Sequence, residues 1–540
     1  MKKVGLFVCS ILTTCALMLA SCGDGSNSQV PTTEAHQHVF SEWKTLADAT
    51  CTEQGEQERV CACGEKENKS IPANGHTDGE WITDVDATCA VAGQKHQICA
   101  MCSITIQTET IEATGIHTEI KDAAIAPTYT TRGKTEGSHC SVCNSVLIEQ
   151  RDIATIWNGE FVQPTTIVKI NDTYYYEINS AEELAYLTIA TAEWQEYNYV
   201  LNCDIYLNID VLEFDEEGNL LNSVDNLREW DGFRCKHFDG NNHTISGVYS
   251  VSGGGFISYA TSVCNVNVKN SYVYTNNTKS IGGVCNGAYE DITNCSFDGA
   301  VIGVGQYGGG TSEGDIVCGV GGIVGYQSIY GILSNCTNYG IVKGVHGVGG
   351  IAGVASSIRN CENFGNISGT EIVAGICGFN AWWIGVEGSN NYGTVSGYAY
   401  VGGIVGKSTG NSDAGATTSK NFGAVTGETY VGGIIGILLN GRISECTNYA
   451  PVIGENYVGG ISGYNKHGDI NECKVIAVVT GTENVGGVLG YMNIFSDEAR
   501  ITACYYLKDN DNNSTITGIG NIADEPGTCE GKTESFFEGQ

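Results

Sequence analysis

Apolar residues along this chain seldom follow the three-and-four spacing of a helix. From residue 158 onward they come in short β-branched runs broken every few positions by Gly or Asn, as in YVGGIVGKS (Tyr400–Ser408) and YVGGIIGILL (Tyr430–Leu439). That pattern predicts short strands joined by tight turns. The second glycine of each such element falls at Gly283, Gly322, Gly350, Gly375, Gly403, Gly433, Gly460 and Gly487, at intervals of 39, 28, 25, 28, 30, 27 and 27 residues. A recurrence of this size marks a solenoid, whose single units cannot bury an apolar face without neighbours above and below. The glycines are expected to supply left-handed corners and to let adjacent backbones approach closely. One stretch departs from the pattern. SAEELAYLTIA (Ser180–Ala190) reads as a short helix with Ser180 as N-cap and Glu183 at the capping-box position, placed to close the open end.

Between the glycine elements a second short element recurs, as in LSNCTNYGIV (residues 333–342) and ISECTNYAPV (residues 443–452). Its columns carry three expectations. Cys295, Cys336, Cys361, Cys446, Cys473 and Cys504 share one position with Ser389 and Ser419, which predicts an inward stack of small, buried side chains rather than a metal or redox wire. Asn338, Asn363, Asn391, Asn421 and Asn448 are expected to adopt a left-handed turn and to stack their amides. Tyr339, Phe364, Tyr392, Phe422 and Tyr449 form an aromatic column read first as packing at a corner of the coil, with an exposed binding face as the alternative; Trp382 and Trp383, in an irregular coil, are candidate ligand-binding residues. Stacked at ~4.8 Å per coil, about eight coils reach roughly 40 Å.

These repeats resemble GLUG-motif repeats, found in bacterial surface and secreted proteins and in the non-catalytic portion of some IgA-specific metallopeptidases. The lead-in segment with YYYEINSAEELAYLTIA, YVLNCDIYLNI and FDGNNHTISGVYS (Phe238–Ser250) looks like the start of such proteins. The resemblance covers about residues 158–508. It implies an all-β protein built on a parallel β-solenoid of about eight GLUG-type coils, with a helical N-terminal cap.

Ahead of the solenoid, residues 38–153 hold three copies of a unit of about 40 residues, aligned on their cysteines. Cys51, Cys61, Cys63 and His76 belong to the first copy, and Cys89, Cys99, Cys102 and His117 to the second. The third keeps Cys140 and Cys143 but has Tyr129 in place of a cysteine. Three thiols and one imidazole per unit are a donor count that suits a structural zinc, and disulfides are the alternative. Units this small need a staple of some kind. They resemble the Cys/His-rich repeats of clostridial surface proteins, which implies a stalk or small binding modules.

At the N-terminus Lys2 and Lys3 precede an apolar run ending LASC (Leu19–Cys22), which resembles a lipobox with Cys22 as the lipid attachment site. The organisation expected is therefore a lipoprotein signal peptide (1–21), a tether (22–37), Cys/His-rich repeats (38–153), a solenoid lead-in and cap (158–260), the solenoid proper (261–508) and a C-terminal cap or tail (509–540). This places the protein in a bacterial cell envelope, lipid-anchored to the membrane and surface-exposed.

Charge narrows the function. With 27 basic against 61 acidic residues the formal charge is −34, which argues against nucleic-acid binding. The zinc-peptidase sequence His-Glu-x-x-His is absent, and GGIVGKSTG (Gly402–Gly410) lacks the spacing of a phosphate loop. Carboxylates within the repeats stand singly (Glu362, Glu371, Glu387, Asp413, Glu428, Glu445), and the cluster Glu213, Asp215, Glu216 and Glu217 reads as a solvated loop. The expectation is a non-enzymatic surface protein displaying its solenoid for adhesion or for binding a host or cell-surface glycan or protein. A β-helical polysaccharide lyase or hydrolase is the alternative, and a structural spacer the second alternative.

Overall fold

The structure is a computed structural model that describes residues 37–208, 212–305, 318–382, 384–493, 500–508, 516–522 and 528–538. The leader, Cys22 and Trp383 lie outside these residues. The chain divides into two compact units, Met1–His117 and Thr118–Gln540.

The first unit is two antiparallel three-stranded sheets in succession, β1 (Lys44–Ala47), β2 (Gly55–Val60) and β3 (Lys66–Ile71), then β4 (Asp78–Val85), β5 (Gly93–Cys99) and β6 (Thr105–Ile111). Strands of one sheet do not pair with strands of the other. Gly55 and Gly93 occupy the same repeat position, and a Cβ on either would meet backbone atoms of the preceding strand or loop at 2.4–2.6 Å. Among the described residues of this unit, the buried apolar side chains are those of Cys61, Cys89 and Cys99 alone, while Val39, Leu46, Ile82, Val91, Ile104 and Ile116 are exposed. Packing of hydrocarbon therefore does little to hold these sheets.

The second unit begins with the third Cys/His-rich repeat, whose strands Glu119–Asp122, Gly137–Cys140 and Val146–Ile148 form one small sheet. Tyr129, at the missing cysteine, lies 5.3 Å beneath the Arg228 guanidinium and accepts a hydrogen bond from it. The substitution thus turns a cysteine position into a contact with the solenoid lead-in.

Among the described residues the solenoid winds sheets of 29 and 19 strands around a continuous core, parallel except where Ile167–Ile170 pairs antiparallel with Thr173–Ile178 at the start of the larger sheet. In one representative coil Ala399–Gly402, Val405–Ser408 and Gly415–Thr417 join the larger sheet, and Lys420–Asn421 and Val425–Thr426 the smaller. Register holds like over like: Val401 faces Val431, Val431 faces Val458 and Val425 faces Val452. Val373, Val401, Val431 and Val458 are fully buried, as are Ile376, Ile404, Ile434 and Ile461. Each such side chain contributes about 1.5–3 kcal/mol of burial.

There are about ten turns rather than eight. The extra turns come from the lead-in, where Asn198–Leu201, Phe233–Asp239 and Ile257–Cys264 already pair in parallel. Aromatic side chains such as Phe233, Phe238 and Phe256 fill the core there, so the paired glycines used for counting are missing.

Helix α1 (Ala181–Ile189) caps the open end as expected. Ser180 Oγ accepts from the Glu183 amide at 3.2 Å, and Glu183 reaches back to the Asn179 amide at 2.7 Å. Its Leu184, Ala185 and Leu187 belong to the solenoid core.

Two expectations about turns are corrected. The asparagines of the Asn column are not left-handed; that conformation belongs to the residue just before the Cys column, at Asn335, Asn360, Gly388, Thr418, Glu445 and Glu472 (φ 48 to 58°). The paired glycines do not supply left-handed corners either. Gly322, Gly350, Gly375, Gly403 and Gly433 are needed for close approach, because a Cβ on each would stand 2.1–2.3 Å from the next coil's carbonyl and 2.2–2.5 Å from an Asn side chain.

Candidate metal centre and exposed aromatic ladder

The Cys column is an inward stack, as its Ser replacements suggest. Cys336, Cys361, Cys446, Cys473, Ser389 and Ser419 are fully buried, and Cys295 and Cys504 nearly so. Each polar hydrogen goes to the backbone carbonyl two residues earlier, for example Cys336 to Ser334 O at 3.3 Å and Ser389 to Glu387 O at 3.1 Å. Burial drives the thiols of Cys295, Cys336 and Cys473 well above their usual range. These are poor nucleophiles. Cys504 and Cys529 stand opposite each other in parallel strands. The column is accordingly expected to resist a thiol reagent in the native protein and to react fully in guanidinium, which a timed thiol titration reads directly.

The asparagines form a ladder buried to the same degree. Nδ2 donates to the Oδ1 of the next coil from Asn338 to Asn363 (2.8 Å), Asn363 to Asn391 (2.7 Å), Asn391 to Asn421 (2.8 Å) and Asn421 to Asn448 (2.8 Å), and each of these four also donates to the carbonyl two residues on. Their role is structural.

One step along, the aromatic column departs from the corner packing expected of it. Tyr339, Phe364, Tyr392, Phe422 and Tyr449 lie on the outside, 39–54% exposed. Their rings stack at 5.3, 4.6, 4.9 and 4.8 Å with interplanar angles of 9° or less. Since each interior ring covers its neighbours' faces, the ridge presents ring edges and hydroxyls along its length. Trp382 lies elsewhere, half-buried in a small cluster with Val354, Ile372 and Phe379, edge-on to Tyr326.

The acidic stretch at Glu213–Glu217 is a turn, in which Asp215 accepts from the Asn219 amide and side chain, an arrangement that holds its carboxyl below the usual range. A surface groove lined by Asp231, Arg234, Ser258, Tyr259, Lys279 and Tyr326 contains one carboxylate. Parallel winding also brings together His237, Asp239 and Cys264, a group that sequence spacing did not reveal because the coil length decides which residues meet. His237 contacts Ser262 Oγ at 2.7 Å and Cys264 Sγ at 3.6 Å. Burial lowers the imidazole and raises the thiol, so both stay neutral and the sulfur is not an activated nucleophile.

In the first unit the candidate ligands are regrouped. Cys51, Cys61, Cys63 and His76 do not come together as one set, nor do Cys89, Cys99, Cys102 and His117. Instead Cys51 and His76 from the first repeat meet Cys99 and Cys102 from the second, with all four donor atoms within 4.8 Å of one another. Cys61 and Cys63 meet His38, whose Nδ1 lies 3.2 Å from Cys63 Sγ. His38 was missed as a candidate, although it stands 23 residues before Cys61 just as His76 stands 23 residues before Cys99. Cys89 is buried and His117 exposed, and they stand at the repeat positions of Cys51 and His76.

The β5–β6 turn explains why Cys99 and Cys102 converge. Ser103 adopts φ 58° and its amide bonds to the Cys99 carbonyl at 2.9 Å, folding Cys99-Ala-Met-Cys102 into a tight loop. The Met101 amide directed at Cys99 lowers that thiol to about 5 against the effect of burial. The equivalent Cys63 amide lowers Cys61 to about 7. Burial, with Cys102 and Cys99 adjoining, pushes Cys51 up to about 11. These Cys/His groups could hold a metal ion.

The fold and these sites define a parallel β-solenoid protein preceded by Cys/His-rich modules. No family model matches the chain, and no curated protein matches it. Among solved structures, a "putative immunoglobulin A1 protease" from Bacteroides ovatus is similar at 18% identity over 67% of this chain and 85% of that one, with a TM-score of 0.28.

Proposed function

We propose that this is a non-enzymatic, lipid-anchored protein of the bacterial cell surface, attached through Cys22, whose GLUG-type solenoid binds a protein partner along the aromatic ridge while zinc-stapled Cys/His modules serve as its stalk. The exposed ladder Tyr339–Phe364–Tyr392–Phe422–Tyr449 carries the reading. Contiguous exposed apolar surface marks interaction sites. Sugars stack on the faces of aromatic rings, and along this ladder the faces are taken by neighbouring rings, so edge contacts with a protein surface fit better. A formal charge of −34 favours a partner that is basic as well as apolar. The single carboxylate of the groove at Asp231 and the neutral His237–Cys264 pair favour binding over hydrolysis.

The test is adhesion of the purified chain to intact epithelial cells. Tyr392→Ser combined with Phe422→Ser is expected to reduce binding about tenfold while leaving the solenoid folded. Prior protease treatment of the cells should abolish binding and glycosidase treatment should not. The reverse sensitivity would make the ligand a glycan. Absence of binding by the unaltered chain would leave the spacer reading.

A further inference from the structure

The two sheets of the first unit share no strand pairing, and among its described residues only cysteines are buried apolar groups. What joins the sheets is the segment between β3 and β4, a few hydrogen bonds to the loops it crosses, such as Asn74 to the Thr50 carbonyl at 2.9 Å and Ala100 to the Thr77 carbonyl at 3.0 Å, and the cluster of Cys51, His76, Cys99 and Cys102. Its dimensions suit one ion. Zn–S bonds near 2.3 Å and Zn–N bonds near 2.0–2.1 Å at tetrahedral angles require edges of about 3.8 Å between sulfurs and about 3.6 Å between sulfur and nitrogen. Cys51 Sγ and Cys99 Sγ are 3.7 Å apart, and Cys102 Sγ and His76 Nδ1 are 3.4 Å apart.

We propose that a zinc ion held by Cys51, His76, Cys99 and Cys102 clasps the first repeat to the second, so that the metal sits at the junction of two modules and not inside either. The inference rests on the zinc reading of the stalk and adds which residues share the ion. Three thiol protons pass to water as three Zn–S bonds form, and His76 contributes a neutral nitrogen. Two of the four ligands come from loops of the first module and two from the tight β5–β6 turn of the second.

The test uses residues 23–540 purified without chelator, with zinc measured by mass spectrometry in Cys51→Ser, Cys99→Ser and the double variant. A shared ion predicts that each single variant loses the same one equivalent and that the double variant loses no more. A double variant that loses two equivalents, one from each single change, would overturn the clasp and leave zinc in the stalk. No zinc in the unaltered chain, with thiols missing in pairs, would overturn the zinc reading itself. A second measurement does not depend on how the variants fold. With a protease site inserted between Thr77 and Asp78, so that Cys51 and His76 stay on one fragment and Cys99 and Cys102 on the other, the cleaved N-terminal module should stay bound to the remainder in zinc and separate on adding chelator. Separation in zinc would overturn the clasp.

Discussion

Gly403→Val is expected to cost about 4 kcal/mol or more, the range reserved for severe core changes. A Cβ on Gly403 would stand 2.1 Å from the Gly433 carbonyl oxygen and 2.5 Å from Asn421 Cγ. Neither can retreat. The Gly433 backbone belongs to the next coil, and Asn421 is held by its own hydrogen bonds to Gly423 O and Asn448 Oδ1. Because coils stack in one direction, the displacement passes to every coil beyond it. Ser396→Val in the same coil adds an exposed side chain on a strand and should change stability by less than about 0.5 kcal/mol. Denaturant unfolding of the two variants makes the comparison. Equal midpoints would show that coils can separate at the glycine pair without loss.

Asn391→Asp should destabilise by about 4 kcal/mol at neutral pH. The substituted carboxylate can still accept from Asn363 Nδ2, but it cannot donate to Asn421 Oδ1 or to Gly393 O, which each lose a buried partner at about 1–3 kcal/mol. The buried negative charge adds to this. The sign of the pH dependence follows from burial. The introduced carboxyl would have a folded pKa raised above its unfolded value near 3.9, so the folded variant binds more protons than the unfolded one. Its deficit is therefore full above the raised pKa and shrinks as pH falls through it, when the protonated acid can donate to Asn421. Asn391→Leu should be destabilised without this recovery. Denaturant midpoints between pH 4 and 8, each referred to the unaltered protein, distinguish the two, and parallel pH profiles would refute the ladder's donor-to-acceptor account.

The solenoid was legible because its information is local and repeated. A glycine pair at 25- to 30-residue intervals, short β-branched runs and a Cys position that tolerates Ser all follow from a coil that must place the same side chain above itself. The capping helix was legible for the same kind of reason, since Ser180 and Glu183 act within one turn. The lead-in coils escaped the count because Phe233, Phe238 and Phe256 fill the space with rings and need no glycine pair. The left-handed position was misplaced by one corner because Asn suits that conformation in general, whereas here the Asn column is committed to a buried amide ladder.

The metal-ligand set shows the limit more sharply. Composition identifies Cys51, His76, Cys99 and Cys102 as candidates, and grouping them by repeat is the natural reading of a tandem sequence. Whether a sulfur meets a partner in its own repeat or the next depends on how far the β3–β4 segment carries the chain, and that distance is not written in any residue type. The aromatic column is similar. Its periodicity is plain in the sequence, but its position outside the coil follows from which face of a two-residue strand the Asn before it occupies: once that Asn points inward, the next residue must point out. By itself the sequence determined the repeat, the β class, the cap and the chemistry available at each position. The tertiary structure alone decided which of those positions meet, because contacts between coils and between modules depend on winding and register.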